Sequence, residues 1–285
     1  MKIIDIHAHP VCTGMVKDAR NLRAMGHRGE CLFRGDPAQT LLERMDAGGV
    51  GMACLMGPNP YDGIELTNEG VRDVVASHPG RFLGFVGVNP LGKGGVETRE
   101  EVKRAVAEWG FRGVGEVGGD DLLAPEWEAV YETCMELQIP IIVHVGIPLP
   151  SMLMKYCHPF MIDELAHRYP ELTIIAAHVG VPWVVETISV AVRHPNVHID
   201  IAALPAFNRS LVLPVLGFCI EHGLESQVLF GSDFPIVDPG KYAKDLLKIK
   251  FPLLMRWSLR LPDISADFRG KLLGGNASRL LKIQE

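Results

Sequence analysis

Short apolar runs recur along this chain, and longer stretches with helical spacing separate them. The runs are Ile3–Ala8, Gly51–Met56, Phe82–Val88, Gly113–Val117, Ile141–Val145, Thr173–Ala177, Val197–Ile201 and Val228–Gly231. They carry apolar residues at nearly every position instead of alternating, as expected of strands whose one face meets helices and whose other face meets a packed interior. Helix starts are readable between them. Asp36-Pro37 is a cap followed by proline at the first helical position, and Thr98 lies three residues before Glu101 in a capping-box arrangement. Strand and helix in alternation predict an α/β protein with a parallel sheet, and eight repeats of one unit predict a closed (β/α)8 TIM barrel. An open doubly wound sheet is the alternative. Beyond Tyr242 the chain reads as extra C-terminal helices, including Lys244 to Ile249 and Ala266 to Leu273. Without a linker, a low-complexity tract or an internal repeat, residues 1–285 are expected to form one domain.

The polar residues that interrupt the apolar pattern fall at strand ends. His7 and His9 end the first strand, where alternation points both imidazoles to one face. Glu116 lies on the fourth, His144 ends the fifth, His178 follows the sixth and Asp233 follows the eighth. Any one of them could be a satisfied core or turn residue. In a barrel, however, all the C-terminal strand ends converge on one mouth. Gathering so many polar groups there is costly unless they hold something, and a divalent cation suits imidazole and carboxylate donors. His78, His158 and His194 each precede a proline and read as turn or surface residues, while His27, His167, His198 and His222 have no strand-end partner.

Composition narrows the function classes. Hydrophobic residues make up 47% and charged residues 22%, ordinary for an enzyme with a sizeable core. A net charge of −6 gives no electrostatic reason to approach nucleic acid or an anionic membrane, so neither is expected as a partner. The six cysteines are scattered, without a C-x-x-C pair or a disulfide framework, and read as reduced thiols. The first apolar stretch, with Asp5 and His7 inside it, is too short and polar for a signal peptide, and a cytoplasmic location is expected. Lys17, Arg20, Arg23, Arg28 and Arg34 lie in the long segment Pro10–Gly35 after the first strand. Arg20, Arg23 and, after the seventh strand, Arg209 are candidates for gripping a substrate carboxylate, because guanidinium binds it bidentately.

The string Ile4-Asp5-Ile6-His7-Ala8-His9, the later His144 and His178, Gly231-Ser232-Asp233-Phe234-Pro235 and the terminal Gly275-Asn276-Ala277-Ser278-Arg279-Leu280-Leu281 resemble the amidohydrolase superfamily. Within it they are most similar to the amidohydrolase-related branch that contains aminocarboxymuconate semialdehyde decarboxylase. The resemblance implies a divalent metal, usually zinc, at the barrel mouth, with manganese as another possible ion. It implies His7, His9 and His144 as ligands, Asp233 on the metal or its water and accepting that water's proton, and His178 facing the substrate as acid/base. Gly115-Glu116-Val117-Gly118 is similar to binuclear relatives in which a glutamate bridges two ions; His144 and His178 would then both bind the second. One zinc or two is left open. The reaction implied is hydrolysis of an amide, lactone or ester in a small, carboxylate-bearing substrate by a zinc-activated water. Non-oxidative decarboxylation within the same family, a TatD-like phosphoesterase or nuclease, and a silent metal-binding scaffold are the competitors. Relatives often form dimers or tetramers, so a homodimer is expected.

Overall fold

Eight parallel strands form the centre of the computed structural model, which describes residues 2–28 and 32–283. They are β1 (Ile3–Ala8), β2 (Val50–Leu55), β3 (Phe82–Val86), β4 (Gly113–Val117), β5 (Ile141–Val143), β6 (Ile174–Ala176), β7 (Val197–Asp200) and β8 (Val228–Leu229). Each pairs with the next in chain order. The last returns beside the first: Ile6 N–H donates to Phe230 O at 2.9 Å, and Asp233 N–H donates to His7 O at 2.8 Å. The molecule is therefore a single-domain (β/α)8 barrel, not an open sheet.

Several strands stop sooner than their apolar runs suggest. Past Val143, Gly146 N–H turns to Cys157 O and Ile147 N–H to Val181 O. The mouth loops, not the neighbouring strands, take those backbone groups, so an apolar run outlasts its ladder.

The two faces of the strands feed two apolar layers. Ile4, Ile6, Cys54, Phe85, Ile142 and Ile175 pack together inside the barrel, each at most 1% exposed. Residues of opposite parity, such as Ala53, Leu55, Val114, Val143 and Ile199, pack against the surrounding helices. Each fully buried aliphatic side chain contributes about 1.5–3 kcal/mol. β1 departs from this parity. Its register on β2 shifts between Asp5 and Ala8. Ile4 and Ile6 therefore fill the interior while His7 and His9, at odd positions, also turn inward at the rim.

The helix Pro37–Gly48 begins as the Asp36-Pro37 pair predicts, with the Asp36 carboxylate accepting from Ala38 N and Gln39 N. Thr98 does not cap a helix. The helix Gly95–Trp109 starts earlier, with Gly94 at its cap position, and Thr98 donates its hydroxyl back to Gly94 O at 2.9 Å from the first turn. The tail forms helices Pro239–Lys248, Leu253–Leu259, Ala266–Gly270 and Asn276–Leu280. Buried Asn276 gives its amide to Glu225 O and Val228 O, both at 2.8 Å. That bond pair carries Ala277 and Leu281 to the interior cluster. The only stretch among the described residues that is long and apolar enough to span a membrane is 204–221, by length and composition alone. It is broken into three short elements and sets Val215, Leu216 and Cys219 into the core.

Candidate metal centre

At the C-terminal rim the barrel brings six predicted residues together: His7, His9, Glu116, His144, His178 and Asp233. His7 Nε2 and His9 Nε2 are 3.2 Å apart, and Asp233 Oδ1 is 3.3 Å from His9 Nε2 and 3.8 Å from His7 Nε2. Glu116 stands between two pairs of imidazoles. Its Oε2 lies 3.5 Å from His7 Nε2 and 3.6 Å from His9 Nε2. Its Oε1 lies 2.9 Å from His144 Nδ1 and 3.1 Å from His178 Nε2, which are themselves 3.2 Å apart.

Unusual backbone holds these groups in place. His178 and Val179 have φ of 60° and 44°, and Asp233 has φ of 57°, all in the left-handed region. Side chains other than Gly, Asn and Asp rarely settle there, and the surrounding hydrogen bonds fix them. His178 N–H donates to Asp200 Oδ1 at 2.8 Å, and Asp233 N–H donates to the His7 carbonyl. Gly118, at φ 157°, has no room for a side chain because a Cβ there would meet the Cβ of His144 at 2.8 Å.

The donor set fits a divalent ion. His7 Nδ1 donates to Asp200 Oδ2 and His178 Nδ1 donates to Ala202 O, so in both rings Nε2 presents a lone pair to the cluster. Those lone pairs face carboxylate oxygens, an arrangement that needs a cation or a proton among them. Two donors about 2.1 Å from one ion lie about 3.0 to 3.4 Å apart, depending on the coordination angle. The separations above fall around that range. Imidazole nitrogen and carboxylate oxygen, without thiolate, suit zinc, manganese or a similar first-row ion.

The charges are mutually dependent. Burial works against charge on His7, but Glu116 and Asp200 outweigh it and hold the imidazole well above its ordinary range. His9 is likewise raised, against burial, to about 9 by hydrogen bonds with Asp233 and Glu116. Burial pushes Glu116 upward, yet the neighbouring His7 and His144 hold it well below the usual carboxylate range.

The arginines predicted to meet substrate lie elsewhere. Arg20 is exposed and paired with Asp18 at 2.6 Å, and Arg23 and Arg209 are exposed on the surface. No lysine or arginine among the described residues lines the pocket over the cluster. That pocket has about 740 Å³ of open space, its mouth included, and its walls are apolar, with Val11, Met25, Ile64, Leu149, Met152 and Phe207. Cys12 is half-buried, and the five described cysteines are free; Cys31 lies outside the described residues. His194 is not a surface residue: it is 9% exposed and bonded to Asp163 at 2.7 Å.

Four polar residues outside the predicted set also shape the site. Asp200 orients His7. Fully buried Asp5 accepts from His7 N–H at 3.1 Å and Ser232 N–H at 2.9 Å, and burial raises its carboxyl to about 6 against those bonds. Asn59 donates to Glu116 O at 3.3 Å and Gly118 O at 3.1 Å, steadying the end of β4. Asp62 lines the pocket, and its burial raises its carboxyl to about 6.

The chain is similar, at 25% identity and a TM-score of 0.72, to an uncharacterized TIM-barrel protein from Bordetella bronchiseptica, over 99% of each chain. It resembles a 5-carboxyvanillate decarboxylase from Novosphingobium aromaticivorans, complexed with manganese and 4-hydroxy-3-methoxy-5-nitrobenzoic acid, at 16% identity and a TM-score of 0.69, over 99% of this chain and 96% of that one. It resembles a probable 2-pyrone-4,6-dicarboxylic acid hydrolase from Acinetobacter baumannii, with citric acid bound, at 17% identity and a TM-score of 0.67, over 99% of this chain and 100% of that one. The amidohydrolase family model matches residues 4–283, and the protein accordingly belongs to the amidohydrolase family of metal-dependent enzymes.

Proposed function

We propose that this protein is a hydrolase that holds a carboxylate-bridged pair of divalent ions and cleaves an ester, lactone or amide bond in a small substrate. The observation that supports this reading is the division of Glu116, with Oε1 facing His144 and His178 and Oε2 facing His7 and His9. In this reading His7, His9 and Asp233 would hold one ion and His144 and His178 the other, with Glu116 placed to contribute to both. Zinc or manganese bound there supplies Lewis acidity, polarising a substrate oxygen and lowering the pKa of water toward about 7. Asp233 takes the proton of the attacking water and returns it to the leaving group, a role open to a carboxylate at the pocket floor. His178 is a ligand here and not an acid, because Ala202 O occupies its Nδ1 and its Nε2 faces Glu116. The apolar walls exclude water around the reacting bond and strengthen each polar contact inside. A pocket lined by no lysine or arginine among the described residues, in a chain of net charge −6, suits a small substrate and not a nucleic acid.

A second reading, non-oxidative decarboxylation of an aromatic acid, draws on the apolar pocket, which could take a ring against Phe207. Asp233 would then deliver its proton to the ring carbon. Ion count and product separate the two. Metal-free protein reloaded with zinc or manganese is analysed for ions per chain and assayed on aryl esters, lactones and hydroxybenzoates in oxygen-18 water. The expected result is two ions per chain, label in the acid product, and a loss of one ion with a roughly 100-fold fall in turnover for Glu116→Gln. One ion per chain, with carbon dioxide released from hydroxybenzoates and no label incorporated, overturns the hydrolase.

A further inference from the structure

The loop after β2 holds a carboxylate against the pocket wall. Asp62 Oδ1 accepts the N–H of Ile64 at 2.8 Å, and the main-chain N–H of Asn59 also faces the carboxylate, which keeps lone pairs for a further donor. The main chain beneath it is tied on both sides. Asn21, fully buried on the helix Ala19–Arg28, donates its amide to Asp62 O at 2.6 Å. The same amide reaches Ser151 Oγ at 2.8 Å, and Ser151 in turn donates its hydroxyl to Tyr61 O at 2.6 Å and its N–H to Asn21 Oδ1 at 3.1 Å. Two segments far apart in sequence thus hold one short loop in a single position. A carboxylate fixed so firmly is a preorganised acceptor. Around it the wall is largely apolar, and no lysine or arginine among the described residues lines it to pair with an anionic group of a ligand.

We propose that Asp62 is the specificity-determining residue of this pocket: it accepts a hydrogen bond from an O–H or N–H donor on the substrate, and its charge excludes a second carboxylate. The proposal rests on the reading that the histidine cluster holds metal and receives the reacting group. It differs from the sequence expectation, in which arginines would have gripped a carboxylate.

The test is calorimetric binding to zinc-loaded protein, which does not depend on the reaction catalysed. The probes are benzohydroxamate, whose hydroxamate chelates metal, and its ring-hydroxy, ring-amino and ring-carboxy derivatives in all positional isomers. The best hydroxy or amino isomer is expected to bind about 10- to 100-fold more tightly than the parent, the range for a hydrogen bond to a charged group, and every carboxy isomer more weakly. Asp62→Leu abolishes the gain and leaves the parent within about 3-fold. Asp62→Asn, nearly the same shape, keeps part of the gain and removes the penalty on the carboxy isomers. Wild type that does not discriminate, or discrimination that survives in both variants, overturns the proposal. Full hydrolytic failure with the discrimination intact would remove the hydrolase reading alone, whereas failure to bind any of the probes would remove both.

Discussion

Asp200 Oδ2 accepts the Nδ1–H of His7 at 3.0 Å, with both side chains fully buried. Its other oxygen receives His178 N–H at 2.8 Å and Ala202 N–H at 2.9 Å. One carboxylate therefore sets the tautomer of His7 and the position of His178 together. Burial alone would raise the Asp200 pKa, and His7 reverses that, holding it below the ordinary value.

Asp200→Asn tests that coupling. If the amide oxygen stays toward His7, the amide nitrogen meets two main-chain N–H donors; if it flips, the nitrogen meets His7 Nδ1 and drives the ring proton to Nε2. Either orientation disturbs the lone pair aimed at the cluster. Zinc affinity, measured by competition with a chelator, is expected to fall about 10- to 100-fold without loss of fold. Unchanged affinity would show that His7 does not depend on Asp200 for its tautomer.

The barrel was legible because each strand is a buried apolar run and each mouth residue breaks that run. Asp200 was not, since Val-His-Ile-Asp reads as the end of an ordinary strand and its partner is 193 residues away. The arginines of the first loop misled for the opposite reason. Their charge suggested a grip on an anion, but the helix Ala19–Arg28 turns its exposed side, with Arg20 and Arg23, to water and its buried side, with Asn21 and Met25, to the loops. Asn21 in such a helix carries no signal of the two loops it joins. The inward turn of His7 and His9 rests on a register shift that simple alternation does not contain.

His198, half-buried on β7, is held down to about 4 by burial and then by the nearby Arg279. An imidazole depressed in the folded state stays neutral between roughly pH 6.5 and 4, while the unfolded chain takes a proton across that window. Unfolded protein then binds more protons, so stability is lost as the pH falls through that window and is fully present above it. Partial exposure weakens the effect, leaving a contribution on the order of 2 kcal/mol at pH 4.5. His198→Gln should flatten this loss. Urea unfolding of both proteins at pH 7.5 and 4.5 measures it, and equal acid sensitivity would rule His198 out.

Asn21→Leu keeps the branched shape, with a larger side chain, and removes every polar group that Asn21 supplies. Asp62 O loses its donor, and Ser151 N–H loses its acceptor. Each buried group left unpaired costs about 1–3 kcal/mol, so the variant should be destabilised by a few kcal/mol in denaturant. The more informative expectation concerns binding. Because Asn21 lies outside the histidine and carboxylate cluster, ions per chain should not change. The loop bearing Asp62 would lose its fixed position, raising KM for a substrate with a hydrogen-bond donor more than it lowers kcat. Asn21→Leu protein with reduced stability but unaltered KM would mean that the tie serves the fold only. A fall in bound metal would instead mean that the loop supports the cluster itself, through Asn59 and the end of β4.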